Sequence, residues 1–130
     1  MRELKFRFWN TLTGKFEEDS DLFFVRGDGV ICSNDSVENN LEAEQYTGLK
    51  VKNGKEIYEG DIVKARWYRA KNARLDTKGE IKLGDGWFYI RDDPDGQDRL
   101  GVPIHNCYGI EVIGNIHENP ELLEQEDAKN

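Results

Sequence analysis

Residues 45–64 read QYTGLKVKNGKEIYEGDIVK, and their pattern predicts two short strands joined by a tight turn at Asn53-Gly54. Asn-Gly is the pair that best tolerates the positive φ angles at both central positions of a type I′ turn. A second turn follows at Gly60, where the backbone is expected to adopt a conformation that other residues rarely reach. Another strand begins after Gly60, so the segment predicts an antiparallel β-sheet.

Strand patterns continue on both sides of this segment. Apolar residues alternate with basic ones at the N-terminus, and glycine turns at 27–29 and 84–86 predict two more hairpins. The apolar run at 22–25 predicts a more deeply buried strand, whereas residues 69–78 lack an apolar period and are interpreted as a loop. Asn119-Pro120 is typical of a helix start and predicts a short C-terminal helical turn. Strands are predicted at 4–8, 22–25, 30–32, 62–67, 81–83, 87–91 and 110–116.

The composition favours a small folded protein that acts away from membranes. The 130 residues fit one domain or two small subdomains, and the 11% of aromatic residues predict a small aromatic core. No apolar run reaches the roughly 18 residues of a membrane span, and no signal peptide is recognised, so a cytoplasmic location is expected. The formal net charge of −8 opposes a polyanionic partner at long range.

Known nucleotide-binding and catalytic motifs are not met. Gly48 and Gly54 nearly match a phosphate-binding loop, but five residues separate them instead of four, and Glu56 stands where a magnesium-binding hydroxyl is needed. The chain has two histidines and no nucleophile elbow. No small-molecule substrate, cofactor or enzymatic activity is therefore expected.

Two groups of potential metal ligands are weak. The acidic run lacks the closing glutamate of a calcium loop, and a solvated turn is the simpler interpretation. The three His and Cys residues near the C-terminus lack the paired spacing of a zinc site. The cysteines are expected to be reduced, and no metal site is predicted. The residues concerned are Asp92, Asp93, Asp95 and Asp98, then His105, Cys107 and His117, and the two cysteines Cys32 and Cys107.

A basic and aromatic segment at residues 64–78 is the strongest candidate binding site. It contains a single acidic residue, Asp76, in an acidic chain. Phosphate contacts and base stacking by such residues would hold a single nucleic-acid strand. The segment could equally bind an acidic protein face, including the acidic loop of a neighbouring subunit, or be a solvated loop. The candidate binding residues are Arg66, Trp67, Tyr68, Arg69, Lys71, Arg74 and Lys78.

Three segments together resemble the YopX family of phage and prophage proteins: residues 2–9, residues 45–64 and residues 110–123. The resemblance implies an all-β fold, with an N-terminal antiparallel β subdomain packed on a C-terminal SH3-like β-barrel. It also implies a phage or prophage origin in a bacterial host, and it implies no catalytic residues.

The polar stretch at residues 33–40 is the best candidate boundary between the two parts. We therefore expect an N-terminal β subdomain over residues 1–43 and an SH3-like barrel with its tail over residues 44–130. The expected function is that of a non-catalytic binding or assembly module with a protein partner or self-association into a homo-oligomer. The alternative is a weak single-stranded nucleic-acid binder that uses residues 64–78.

Overall fold

The computed structural model describes residues 4–33, 36–70, 73–84, 86–91 and 101–123, with backbone alone at 68–70 and 73–75. The strands, in chain order, are β1 (Phe6–Asn10), β2 (Lys15–Phe16), β3 (Phe23–Val25), β4 (Ile31–Ser33), β5 (Ser36–Val37), β6 (Leu41–Lys50), β7 (Glu56–Tyr58), β8 (Asp61–Ala70), β9 (Ala73–Gly84), β10 (Trp87–Arg91), β11 (Val102–Pro103) and β12 (Cys107–Asn115). Short 3-10 helices lie at Ser20–Leu22, Ile104–Asn106 and Pro120–Leu123. The all-β expectation is confirmed, as is the short helical turn that begins at Pro120.

The strands form three sheets in which all neighbours are antiparallel. The N-terminal sheet has the order β2-β1-β6-β7, the C-terminal sheet has the order β11-β10-β9-β8-β12, and β3-β4-β5 form a small third sheet. Strand β6 pairs with β1 on one side and with β7 on the other, so it continues across the expected subdomain boundary at residue 43. The division into two subdomains stays a prediction.

Two apolar clusters stabilise these sheets. The larger one lies under the C-terminal sheet and is dominated by β-branched residues, which suit the half-buried face of a strand. The smaller one joins β1 to the third sheet around Phe8. The larger cluster comprises Ile57, Val63, Ala65, Ile81, Phe88, Ile90 and Ile104.

The hairpin between β6 and β7 is confirmed, but its predicted turn type is wrong. The Gly54 N–H donates to the Val51 carbonyl, and the Val51 N–H donates to the Lys55 carbonyl, both at 2.8 Å. The loop therefore has three residues, 52–54, with the positive φ of 91° at Gly54. This is a type I turn followed by a left-handed glycine, the next most common hairpin after the two-residue forms. Gly60 also has a positive φ, of 86°, as predicted.

The predicted loop at residues 69–78 is wrong, because the described residues of this range belong to β8, which ends at Ala70, and to β9, which begins at Ala73, and these strands pair with each other. Their register pairs Arg66 with Asp76 and Tyr68 with Arg74. Backbone pairing does not need an apolar face, so a ladder continues where the hydrophobic alternation has ended. The run at 22–25 is also less buried than predicted, since Phe24 is 49% exposed on the outer face of the third sheet.

Candidate functional site

A groove of about 460 Å³ lies on the outer face of the C-terminal sheet. Strands β8, β9 and β12 supply its floor and walls. We call it the basic groove, and its lining residues are Lys64, Ala65, Arg66, Asp76, Thr77, Lys78, Gly109 and Glu111.

The basic groove has alternating charges arranged on the rungs of the sheet. Lys64 lies directly opposite Lys78, and Arg66 lies directly opposite Asp76. Like charges on one rung repel each other, but Glu111 of β12 lies opposite Lys64 on its other side and reduces this cost. The groove therefore combines three cationic side chains with two carboxylates and has a positive balance in a chain whose net charge is −8.

The strand alternation separates the basic residues from Trp67. Val63 and Ala65 are buried in the core, while Lys64 and Arg66 are exposed on the opposite face, as side-chain alternation along the predicted strand at 62–67 requires. Trp67 shares the parity of Val63 and is half-buried. Its indole ring therefore does not line the face on which Arg66 would meet a ligand.

The other predicted binding residues are described less completely. The backbone of β8 includes Tyr68 and Arg69, and the backbone of β9 includes Arg74. Lys71 and the acidic run at 92–98 lie outside the described residues. The structure thus brings Arg66 and Lys78 to one groove, together with Lys64.

A second polar site, which the sequence did not reveal, lies where the N-terminal and C-terminal sheets meet. We call it the Arg7 cluster, and it consists of Arg7, Glu44, Asp61 and His117. The Arg7 guanidinium contacts a Glu44 oxygen at 2.7 Å through Nε and an Asp61 oxygen at 2.9 Å through Nη1. The second Glu44 oxygen lies 2.7 Å from Nε2 of His117. The side chains are 20%, 9%, 3% and 11% exposed, respectively.

Aromatic rings enclose the Arg7 cluster. The guanidinium lies over the rings of Phe16 and Tyr58, at 4.6 Å and 4.9 Å from their centroids. The His117 ring stacks on Trp9, with centroids 4.4 Å apart and planes 9° from parallel. Such contacts favour a cation over the aromatic face.

Burial sets the direction of the acidic pKa values in this cluster. Desolvation raises the pKa of Glu44 and of Asp61, and the Arg7 charge opposes that shift without reversing it. Desolvation, with the hydrogen bond to Glu56, also raises the pKa of Tyr58 to about 12.

The turn at Gly60 leaves room for the Glu44 carboxylate. A Cβ atom at residue 60 would lie 2.7 Å from Cδ of Glu44. Glycine is therefore required here for two reasons, the space that the Glu44 carboxylate occupies and the positive φ of the backbone. The sequence signal for this site was Gly60-Asp61 itself, which was interpreted only as a turn. Nothing local linked it to Arg7 or to His117.

The remaining candidate ligands lie apart from the Arg7 cluster. His105 is exposed and contacts the edge of Trp87, whereas the Cys107 thiol donates to the Pro103 carbonyl. Cys32 and Cys107 are free thiols. Within the described ranges, no group of three His, Cys, Asp or Glu side chains could hold a metal ion. In the same ranges, no helix is long and apolar enough to cross a membrane.

Both sites lie within the part of the chain that matches a known protein family. The family model described as YopX protein matches residues 5–124, a range that contains the basic groove and the Arg7 cluster. The chain belongs to the YopX family. The resemblance of three separate segments to this family is thus confirmed over nearly the whole chain.

A similar solved structure extends the comparison to the fold. The chain is 33% identical to protein EF1440 from Enterococcus faecalis, with a TM-score of 0.57 over 95% of this chain and 100% of that one. The name of that protein states no ligand, partner or activity. No curated protein matches the chain.

Proposed function

We propose that this YopX-family chain is a non-catalytic binding or assembly module, and that its basic groove binds an acidic protein segment. The observation that supports the proposal is the alternation of β8. One face of this strand is committed to the core through Val63 and Ala65, and the other presents Lys64 and Arg66 to the groove.

The charge pattern of the groove favours a protein segment over a nucleic acid. A single strand would bring a phosphate at every nucleotide, and Asp76 and Glu111 would repel it inside the groove. Of the two residues expected to stack on its bases, Trp67 and Tyr68, Trp67 lies on the core face of β8. A peptide can place its own carboxylates beside Lys64, Arg66 and Lys78 and a basic or neutral residue beside the two acids.

A second copy of the chain is the first partner to test. The net charge of −8 means that acidic surface is plentiful on each copy, while the basic groove is a local exception. Two copies can therefore associate by charge complementarity.

The same proposal includes three further expectations. The resemblance to the YopX family implies an SH3-like barrel in the C-terminal part and a phage or prophage origin, and the composition favours a cytoplasmic location.

Charge reversal in the basic groove tests the proposal. The double variant Arg66→Glu/Lys78→Glu is compared with Lys15→Glu/Lys52→Glu, which has the same net charge but changes exposed residues outside the groove. Analytical ultracentrifugation measures the mass of each, and fluorescence anisotropy measures binding of an acidic peptide and of single-stranded DNA.

The proposed function predicts that only the groove variant loses self-association or peptide binding. Equal behaviour of the two double variants in both assays would contradict it. Binding of DNA that weakens steeply with salt, and is lost only in the groove variant, would favour the nucleic-acid alternative.

A further inference from the structure

Arg66 on β8 is an exposed cation that the fold itself does not use. It lies directly opposite Asp76 on one side and directly opposite Tyr108 on the other. In the part of the chain that the structure describes, the Arg66 guanidinium makes no hydrogen bond and no ion pair, not even with the acid on its own rung. Its N–H donors are therefore available to a ligand in the basic groove.

The Arg66 side chain reaches over the neighbouring strand β12. A Cβ atom built on Gly109 of that strand would lie 3.8 Å from Nη1, 3.9 Å from Cζ and 4.0 Å from Cδ of Arg66. Strands β12 and β9 flank β8 on opposite sides, so a guanidinium over Gly109 lies away from the strand that carries Asp76. This direction explains why the two opposite charges do not pair.

A β-bulge in β12 forms the surface on which the guanidinium rests. Two residues separate Tyr108 from Glu111 on β12, whereas a single residue separates their partners on β8. The first of these two residues is Gly109, whose φ of 60° lies in the left-handed region that favours glycine. Because glycine has no side chain, Arg66 lies directly against the backbone of the bulge. Bulges of this kind re-aim side chains beside binding sites.

A guanidinium held in this way suits a carboxylate ligand. Its N–H groups form a rigid planar fork that matches the two oxygens of a carboxylate, whereas a lysine ammonium is a point charge on a flexible stem. A side chain that already rests on the protein also loses less conformational freedom when the ligand binds. The contact with Gly109 therefore prepares Arg66 for a bidentate contact.

The charge balance of the basic groove limits the negative charge of its ligand. Three cationic side chains and two carboxylates line the groove, which leaves one positive charge. One carboxylate carries one negative charge and cancels that excess. A phosphate monoester carries about 1.5 to 2 negative charges at neutral pH and would also meet Asp76 and Glu111. A single carboxylate is therefore the better match.

We propose that Arg66, resting on the bulge at Gly109, is the anchor of the basic groove and binds one carboxylate side chain of an extended acidic segment through two parallel hydrogen bonds. Lys64 and Lys78 attract the segment by charge without fixing its geometry. The inference rests on the proposed function and goes beyond it, because general attraction of an acidic partner would be served equally by lysine or arginine at residue 66.

The conservative variant Arg66→Lys tests the anchor, since it keeps the charge and removes the fork. Its matched control is Lys64→Arg, which lies on the same face of β8 and also keeps the charge. Fluorescence anisotropy measures binding of a labelled peptide of alternating glutamate and serine, and of a peptide in which glutamine replaces glutamate. Circular dichroism verifies that both variants are folded.

Arg66→Lys should weaken binding of the glutamate peptide about tenfold, which corresponds to the loss of one charge-assisted hydrogen bond. Lys64→Arg should bind this peptide as tightly as the wild type does. The glutamine peptide should bind weakly to all three proteins, with no difference between them. A third peptide, in which phosphoserine replaces the central glutamate, should bind the wild type no more tightly than the glutamate peptide does.

Equal affinities of the wild type and Arg66→Lys for the glutamate peptide would overturn the anchor, and so would an equal loss in Lys64→Arg. Absence of glutamate-peptide binding by the wild type would overturn it as well. Tighter binding of the phosphoserine peptide, lost in Arg66→Lys, would reject the carboxylate as the ligand. Failure of the proposed function has a different signature, which is equal behaviour of the groove double variant and its control double variant.

Discussion

Replacement of Gly60 by alanine tests whether the Glu44 carboxylate is held where the structure places it. The new Cβ would lie 2.7 Å from Glu44 Cδ and 3.0 Å from Oε1, so the carboxylate has to move. That movement breaks its contacts with Arg7 and His117, each of 2.7 Å. Residue 60 also has a φ of 86°, a conformation that alanine resists.

The chain offers a matched control at Gly54. Its φ is 91°, nearly the same, but a Cβ there would meet nothing within 4 Å. Gly54→Ala should therefore show only the backbone cost of roughly 1–2 kcal/mol. Gly60→Ala adds the loss of charge-assisted hydrogen bonds, about 1.5–3 kcal/mol, which gives a total of about 2.5–5 kcal/mol. The entropy gain from replacing glycine in the unfolded chain is common to both variants and cancels in the comparison.

Urea unfolding followed by circular dichroism measures both variants, and tryptophan emission, recorded in proteins that also carry Trp67→Phe and Trp87→Phe, reports on the contact between Trp9 and His117. We expect Gly60→Ala to be the less stable variant by at least about 1.5 kcal/mol and to alter the emission of the folded state. Equal stabilities of the two alanine variants would contradict the steric requirement at residue 60, because backbone strain alone would then explain both.

Three further predictions concern the ionisable groups around the same site. Arg7→Met leaves Glu44 and Asp61 buried without a counter-ion and should lower the free energy of unfolding in urea by about 3–5 kcal/mol at neutral pH. The decrease should be smaller at about pH 4, where the carboxylates take up protons. An equal decrease at both pH values would contradict the buried ion pairs. Because burial raises the pKa of Asp61, its stabilising proton is lost as the pH rises, so the wild type should lose stability relative to Asp61→Asn between about pH 4 and pH 7; parallel pH profiles would argue against a raised value. In an ultraviolet titration Tyr58 should ionise near pH 12, and Tyr58→Phe should remove that step; an unchanged titration would contradict the raised pKa of Tyr58.

The local elements were largely predictable because their signals lie within a few residues of one another. Positive φ at Gly54 and Gly60, the hairpin across 84–86 and the 3-10 turn at Pro120 all follow from turn chemistry and strand alternation. The turn type at 52–54 was not predictable, because the same Asn-Gly pair fits a two-residue or a three-residue loop and the choice depends on strand register.

The hairpin formed by β8 and β9 shows a second limit of local patterns. Residues 69–78 have no apolar period, although their described backbone pairs as strands. Hydrophobic periodicity detects the burial of side chains and does not detect backbone pairing. The basic residues of this region were recognised from composition alone. Their division between a groove face, with Arg66, and a core face, with Trp67, follows from the predicted strand at 62–67, whereas the pairing of Arg66 with Asp76 required the strand that the periodicity had missed.

The fold class, the family, the glycine turns and the existence of a basic segment could be predicted from the amino-acid sequence, because each is encoded in neighbouring residues or in segments with a recognisable order. The meeting of Arg7, Glu44, Asp61 and His117 is visible only in the folded chain. Their sequence separations range up to 110 positions, and each is an ordinary polar residue in its own segment. Such residues come together only when two sheets pack, and burial then raises the pKa values of Glu44 and Asp61, which no local pattern can predict.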